Sequence, residues 1–359
     1  MVVPVQLTDR FPQLSAHDLL AGFVPPTHFR NARFDTYIAD ESQPSQAAAL
    51  EGLHAFAAQI GRRRQPRRPR LRKKARDDLR AGIYLDGGFG VGKTHLLVAL
   101  WFDTADSGKR AVGTFVEYTN LVGALGFEQA VAALSDYELV CIDEFELDDP
   151  GDTVLMSTLL GRLAENGVRL AATSNTLPDR LGEGRFAAED FLREIQGLAE
   201  NFEVFRIDGQ DYRHRGLPVA PAPLADGQVR AVADRFDGSS SLDHFSALVA
   251  HLPQVHPSRY GALVEGLSHI CIIDLTTLAN QADALRFVVL VDRMYDRDIA
   301  LATSGAPVDA VFNEEMLAGG YRKKYRRAVS RLDAMALSAE HISSFAMGGE
   351  LPRERPIEQ

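Results

Sequence analysis

Gly87-Gly88-Phe89-Gly90-Val91-Gly92-Lys93-Thr94 fits the pattern G-x-x-x-x-G-K-[ST], and its flanks decide its meaning. Ile83-Tyr84-Leu85-Asp86 ahead of it is a short β-prone run, and His95-Leu96-Leu97-Val98-Ala99-Leu100-Trp101 behind it reads as a buried helix. In that strand, loop, helix order the glycines let backbone N–H groups turn toward phosphate oxygens. Lys93 then reaches the outer phosphates, and the Thr94 hydroxyl can ligate Mg²⁺. The expected nucleotide contacts are Gly87, Gly88, Phe89, Gly90, Val91, Gly92, Lys93, Thr94 and His95, helped by the positive end of the helix that starts near Lys93.

Hydrolysis needs a second element, and Leu139-Val140-Cys141-Ile142-Asp143-Glu144-Phe145 supplies one as an apolar strand ending in two adjacent carboxylates. In a parallel sheet that end faces the ligand, so Asp143 can hold Mg²⁺ through water, and Glu144 can polarise the attacking water. The other reading is a pair of acids that merely open an acidic turn, since Glu146, Asp148, Asp149 and Asp152 follow. A third strand, Val168 to Ser174, ends at Asn175, whose amide fits either a sensor of the outer phosphate or an Asn turn before Pro178. Lys93 and Thr94, then Asp143 and Glu144, then Asn175 together are far more specific than any one alone.

The 359 residues are 45% hydrophobic and 25% charged, enough for a sizeable core and two domains. Cys141 and Cys271, the two cysteines, both lie in apolar strand-like runs and read as core residues of a reduced compartment. The ten histidines show no zinc-ligand spacing. No stretch approaches membrane-spanning length and the N-terminus does not resemble a signal peptide, so a cytoplasmic location is expected.

The net charge of −10 disfavours nucleic acid on average, yet Arg62 to Lys74 is strongly basic and broken by prolines. It fits a solvated loop or an arm for nucleic acid, anionic lipid or an acidic partner; no aromatic residue interleaves it to stack bases. Ahead of it, Ser45 or a neighbour caps a helix running to about Ile60. Gln46 there is a candidate adenine contact, against the reading that Phe29, Phe34 and Tyr37 simply staple the helix.

The expected organisation is an N-terminal helical segment (1–60), a basic linker (61–81), a P-loop core (82–216), a Pro/Ala/Gly-rich linker (217–227), a C-terminal α/β and helical region (228–345) and a flexible tail (346–359). In the C-terminal region, His269–Leu275, a helix around Leu285–Asp296 and Ile299–Ser304 form a strand, helix, strand pattern that echoes Gly161–Asn175.

The P-loop, Leu139–Phe145 with its acidic continuation, Ala172-Thr173-Ser174-Asn175 and Asp211-Tyr212-Arg213 together resemble the ZapE/AFG-like ATPases, a branch of the AAA+ P-loop proteins. Leu285 to Asp296 and Ser330-Arg331-Leu332 extend the likeness, which runs from about Phe29 to about Met335. The resemblance implies an α/β AAA+ core with a parallel sheet flanked by helices, and Mg²⁺-dependent ATP hydrolysis. It also implies a protein client, the division apparatus and its FtsZ polymer in bacterial members and protein quality control in mitochondrial ones. Where the family places two arginines before the phenylalanine of a Phe-Leu-Pro motif, this chain has Ala188 and Asp190 before Phe191, and Arg193 replaces the proline. Arg185 and Arg193 are then the candidates for an arginine finger entering from a neighbouring copy in a homo-oligomer, or surface arginines. Arg286 fits a second sensor or a salt-bridged helix start. A helicase-loader-like ATPase that grips nucleic acid through Arg62–Lys74 is the alternative function.

Overall fold

The computed structural model describes residues 4–13, 15–62, 80–88, 90–104, 108–145, 150–176, 200–209, 221–236 and 238–346. The chain divides into two compact units, Ser15–Leu217 and a second that joins Met1–Leu14 to Pro218–Gln359.

The first unit carries α1 (Ala16–Ala21), α2 (Pro44–Arg62), β1 (Gly82–Gly87), α3 (Lys93–Asp103), β2 (Arg110–Thr114), α4 (Phe115–Leu125), α5 (Phe127–Leu134), β3 (Leu139–Asp143), α6 (Pro150–Glu165), β4 (Arg169–Ser174) and β5 (Phe202–Ile207). The five strands lie in the order β2-β3-β4-β1-β5 and every pair is parallel. All six residues of β1 are buried, as a strand covered on both faces must be. Leu53, Phe56 and Ile60 of α2 and Leu96, Leu97 and Leu100 of α3 share one core with Ile83 and Leu85 of β1. Because β1 sits between β4 and β5 rather than beside β2, the chain reverses its direction of winding there. It is at such a reversal, at the carboxyl ends of the strands, that α/β sheets bind ligands.

The second unit holds α7 (Asp226–Arg235), β6 (Ser240–His244), α8 (Phe245–His251), α9 (Tyr260–Leu263), β7 (His269–Leu275), α10 (Gln281–Tyr295), β8 (Ala300–Gly305), α11 (Glu314–Ala318) and α12 (Arg322–Ala346). Its sheet, in the order β6-β7-β8, is also parallel. The expected strand, helix, strand pattern is β7, α10 and β8. The apolar face of α10, with Phe287, Leu290, Val291 and Met294, packs in one core with Phe245, Tyr325 and Leu332. Cys141 and Cys271 are free and buried, and burial pushes both thiols well above their ordinary range, so they are packing residues.

The expected N-terminal segment 1–60 is divided between the units. Val5 pairs in parallel with Ser241, while Leu7 N and Thr8 N donate to the Asp243 carboxylate at 3.1 and 3.2 Å. Asp243 is only 4% exposed and needs those donors, which ties residues 4–10 to the edge of β6. Residues 15–62 go with the P-loop unit. The linker expected at 217–227 ends inside α7, and most of the basic run, 63–74, lies outside the described residues.

Candidate functional site

The P-loop leaves β1 at Gly87, where an added Cβ would strike the carbonyl of Ile207 on β5, so the close approach of β1 and β5 demands glycine. Gly90 and Gly92 both take left-handed backbone, φ 69° and 86°, which lets the loop fold back before α3 begins at Lys93. Phe89 lies outside the described residues. The Lys93 ammonium donates to Gly87 O at 2.9 Å, to Gly88 O, and to Asn175 Oδ1 at 2.9 Å. The lysine of the loop and the amide after β4 thus meet directly, as three converging strand ends require.

On the other side of the loop, Thr94 Oγ1 donates to the Asp143 carboxylate at 3.0 and 3.2 Å. Thr173 Oγ1 donates to the same carboxylate, to Oδ1. Glu144 follows with φ 54°, its N–H donating to Thr173 Oγ1 at 3.1 Å, and Phe145 N donates to Thr173 O at 2.7 Å. Phe145 is buried with its ring edge-on to Phe115 and Tyr84, which anchors the far end of this turn. Burial, and then the neighbouring Glu144 charge, push the Asp143 carboxyl above the usual carboxylate range. The Thr173 and Thr94 hydrogen bonds and the Lys93 charge pull the other way. A carboxylate crowded by a second acid and paired with a hydroxyl is a hard-oxygen donor set that positive charge would relieve. This fits Mg²⁺, which takes one or two protein oxygens and fills its shell with phosphate and water.

Asp86, at the end of β1, is 3% exposed, and burial raises its carboxyl pKa against the opposing pull of Arg206 and Lys93. Arg206 Nη1 lies 3.1 Å from Asp86 Oδ2 and its Nε 2.8 Å from Asp208 Oδ1, which braces β1 against β5 beside the loop.

Residues 33–46 run over the loop. Tyr37 donates its hydroxyl to Val91 O at 3.1 Å, and His95 Nε2 lies 3.0 Å from Arg33 O and 3.1 Å from Thr36 Oγ1. His95, expected as a nucleotide contact, is engaged with this segment. Gln46 is 2% exposed, with Oε1 accepting from Asp40 N and Nε2 donating to Asp208 O, each at 2.8 Å. Ser45 Oγ accepts from Asp208 N at 2.9 Å, so the start of α2 is stitched to the end of β5.

Of the remaining candidates, Arg286 lies in the second turn of α10 in the second unit and forms an i,i+3 ion pair at 3.2 Å with Asp283 of the first turn. Arg185 and Arg193 lie outside the described residues. Two residues that sequence reasoning did not assign are Thr173 and Tyr37. Thr173 had a signal, a hydroxyl on the strand that leads to Asn175; Tyr37 had only its place among aromatics.

A parallel sheet in this strand order, with a glycine loop leaving β1, one strand in from the edge, and a lysine meeting the asparagine that follows the adjacent strand β4, is the core of an AAA+ P-loop protein. The chain belongs to the AFG1-like ATPase family, whose sequence pattern it matches over residues 23–238 and 228–343. It is 26% identical over 309 residues to cell division protein ZapE of Escherichia coli K12, a match spanning 73% of this chain and 80% of that protein. It is 22% identical over 298 residues to lactation elevated protein 1 homolog B of Danio rerio, spanning 66% of this chain and 58% of the relative. Solved structures with some likeness include DnaI, at 17% identity and TM-score 0.40, covering 52% of this chain and 93% of DnaI. Another is AMPPCP-bound DnaA from Aquifex aeolicus, at 11% identity and TM-score 0.38, covering 91% and 94%.

Proposed function

We propose that the protein hydrolyses ATP to ADP and phosphate and uses the turnover to act on a protein partner in the cytoplasm. The observation that carries this reading is the turn Asp143-Glu144 beside Lys93, Thr94 and Asn175: a glycine loop with its lysine, a carboxylate bonded to the Thr94 hydroxyl and a second carboxylate, brought together at neighbouring strand ends. Lys93 and the loop N–H groups would hold the outer phosphates, Asn175 would orient the reacting end, and Glu144 would take a proton from the attacking water. Bound Mg²⁺, held through Thr94 and Asp143, would supply charge neutralisation on the phosphate oxygens. The likeness to ZapE, a cell division protein, supports a partner in division, and the family resemblance implies the FtsZ polymer as that partner. Gly87–His95 are the proposed nucleotide contacts, Arg185 or Arg193 the proposed finger from a neighbouring copy, and Arg286 a proposed second sensor.

Two variants test the site. Lys93→Ala should lose ATP binding, and Glu144→Gln should bind ATP while hydrolysing it poorly. Wild-type turnover by Glu144→Gln would remove Glu144 from the role of base. With ATP bound, Glu144→Gln should also retain its client longest, and enrichment of division proteins on it would identify the partner.

A further inference from the structure

The turn that carries both carboxylates depends on one hydroxyl. Thr173, 1% exposed, faces Asp143 and Glu144 from the neighbouring strand β4, and its Oγ1 uses both of its capacities there. It donates to the Asp143 carboxylate and accepts from the Glu144 backbone N–H at 3.1 Å. Glu144 sits at φ 54°, a left-handed conformation that costs an L-residue about 1–2 kcal/mol and persists only where neighbours over-determine it. The neighbours here are Thr173 Oγ1 on one side and Thr173 O, which holds Phe145 N at 2.7 Å, on the other.

The second unit contains a comparison built by the same chain. In the core, Thr114 pairs with Asp143 at the end of β3; in the C-terminal sheet, His244, the last residue of β6, pairs with Ile273 of β7, at a bulge in the pairing of β7 with β8. The next residue is left-handed in both, Glu144 at 54° and Asp274 at 57°. In both, its N–H donates to a hydroxyl on the following strand, Thr173 Oγ1 at 3.1 Å or Ser304 Oγ at 3.3 Å. Holding the turn is therefore what the hydroxyl does in either sheet. The bond to a strand-end carboxylate is what the P-loop unit adds, because Ile273 occupies the place of Asp143 and offers no acceptor.

We infer that Thr173 is a positioning residue for hydrolysis, whose single hydroxyl fixes the Asp143 carboxylate and the Glu144 backbone relative to each other. This rests on the hydrolytic reading above and deepens it. The metal-binding acid and the base would then be set by one group on a third strand, and a change in that strand would move both together.

The test compares Thr173→Val, which keeps the shape and removes the hydroxyl, with Thr173→Ser, which keeps the hydroxyl. Thr173→Val should lower kcat roughly 10- to 100-fold, the scale of a misplaced reacting group, with KM for ATP within about threefold of wild type. Thr173→Ser should restore kcat. Amide hydrogen exchange at Glu144, measured without nucleotide, should quicken about tenfold in Thr173→Val and stay slow in Thr173→Ser. Wild-type kcat in Thr173→Val, or a Thr173→Ser protein as slow as Glu144→Gln, would overturn the inference. So would equal loss of kcat, ATP affinity and thermal stability in both variants, which marks packing alone. A wild-type protein without turnover would reject the hydrolytic reading, whereas unchanged Glu144 exchange in Thr173→Val would reject the role of Thr173. If Thr173→Val does not fold, Thr173→Ala, which also lacks the hydroxyl, takes its place against Thr173→Ser with the same two readouts, kcat and Glu144 exchange.

Discussion

The Tyr37 ring lies so close over Gly92 that a Cβ added to Gly92 would sit 2.6 Å from its Cε2. Gly92 also has φ 86°, so two independent constraints exclude a side chain at the last loop position before Lys93. Gly92→Ala should cost about 1–3 kcal/mol of stability from backbone strain alone. It should also weaken nucleotide binding at least tenfold, because relief of the clash must displace Tyr37 or the loop. Thermal unfolding and nucleotide titration of Gly92→Ala against Tyr37→Ala check this; Tyr37→Ala should keep most of the stability.

Gln46 offers a choice between two roles. Both ends of its amide are committed to backbone groups, Asp40 N and Asp208 O, so Gln46→Ala should leave two polar groups short of a partner and cost about 1–3 kcal/mol. Its Tm should fall without nucleotide present. A change in the ratio of ATP to GTP affinity, with Tm unmoved, would instead assign Gln46 to the base.

Asp292 is buried in the C-terminal unit, with Arg327 at 2.9 Å and Arg331 also bonded to it. Burial alone would push its carboxyl pKa up, but Arg327, Arg331 and Arg293 outweigh that and hold it below the ordinary 3.8. A depressed folded-state pKa contributes stability that is present above the unfolded value and is lost as pH falls through the folded one. Asp292→Asn should therefore destabilise this unit by about 3 kcal/mol at neutral pH. Its penalty should shrink as the pH is lowered below 3.8, which unfolding of wild type and variant along a pH series measures.

If Arg185 or Arg193 enters the site of a neighbouring copy, ATP turnover per chain should rise with protein concentration. A flat dependence, across a range over which sedimentation shows monomer giving way to assembly, would reject an arginine supplied in trans. Turnover should then fall on Arg185→Ala or Arg193→Ala while ATP affinity is retained.

The basic run gives a prediction for the second functional class. A nucleic-acid arm would make DNA binding fall steeply with salt, and neutralising Arg67, Arg68, Arg70, Arg72, Lys73 and Lys74 should abolish both the binding and its salt slope. Binding that is weak and unchanged by neutralisation would leave the protein-partner reading alone.

Much of the P-loop unit was legible because its chemistry needs fixed residue types at strand ends: Gly87–Thr94, Asp143-Glu144 and Asn175 each carry their own signal. β7 and β8 were legible as apolar runs. The sequence of β6, Ser240-Ser241-Leu242-Asp243-His244, was not, because its inward groups are hydroxyls and a carboxylate satisfied by Leu7 and Thr8 from the far end of the chain. For Gln46 the sequence left two roles, because an amide near a P-loop can serve a base or a backbone equally well; its bonds to Asp40 N and Asp208 O depend on chain positions that no spacing reveals. Thr173 was visible as a residue, but its role depends on Glu144 being left-handed, which no spacing reveals.

Leu7 and Asp243 meet across 236 residues of chain. On the ribosome, at about 5–20 residues per second, the amino-terminal segment 4–10 emerges some ten seconds or more before its partner is synthesised. The whole stretch Ser15–Leu217 is translated in that interval. Synthesis can therefore complete the nucleotide-binding unit while the other still lacks its sheet. Arrest or cleavage between them would leave a P-loop unit whose amino-terminal segment lacks Asp243, the acceptor for Leu7 N and Thr8 N.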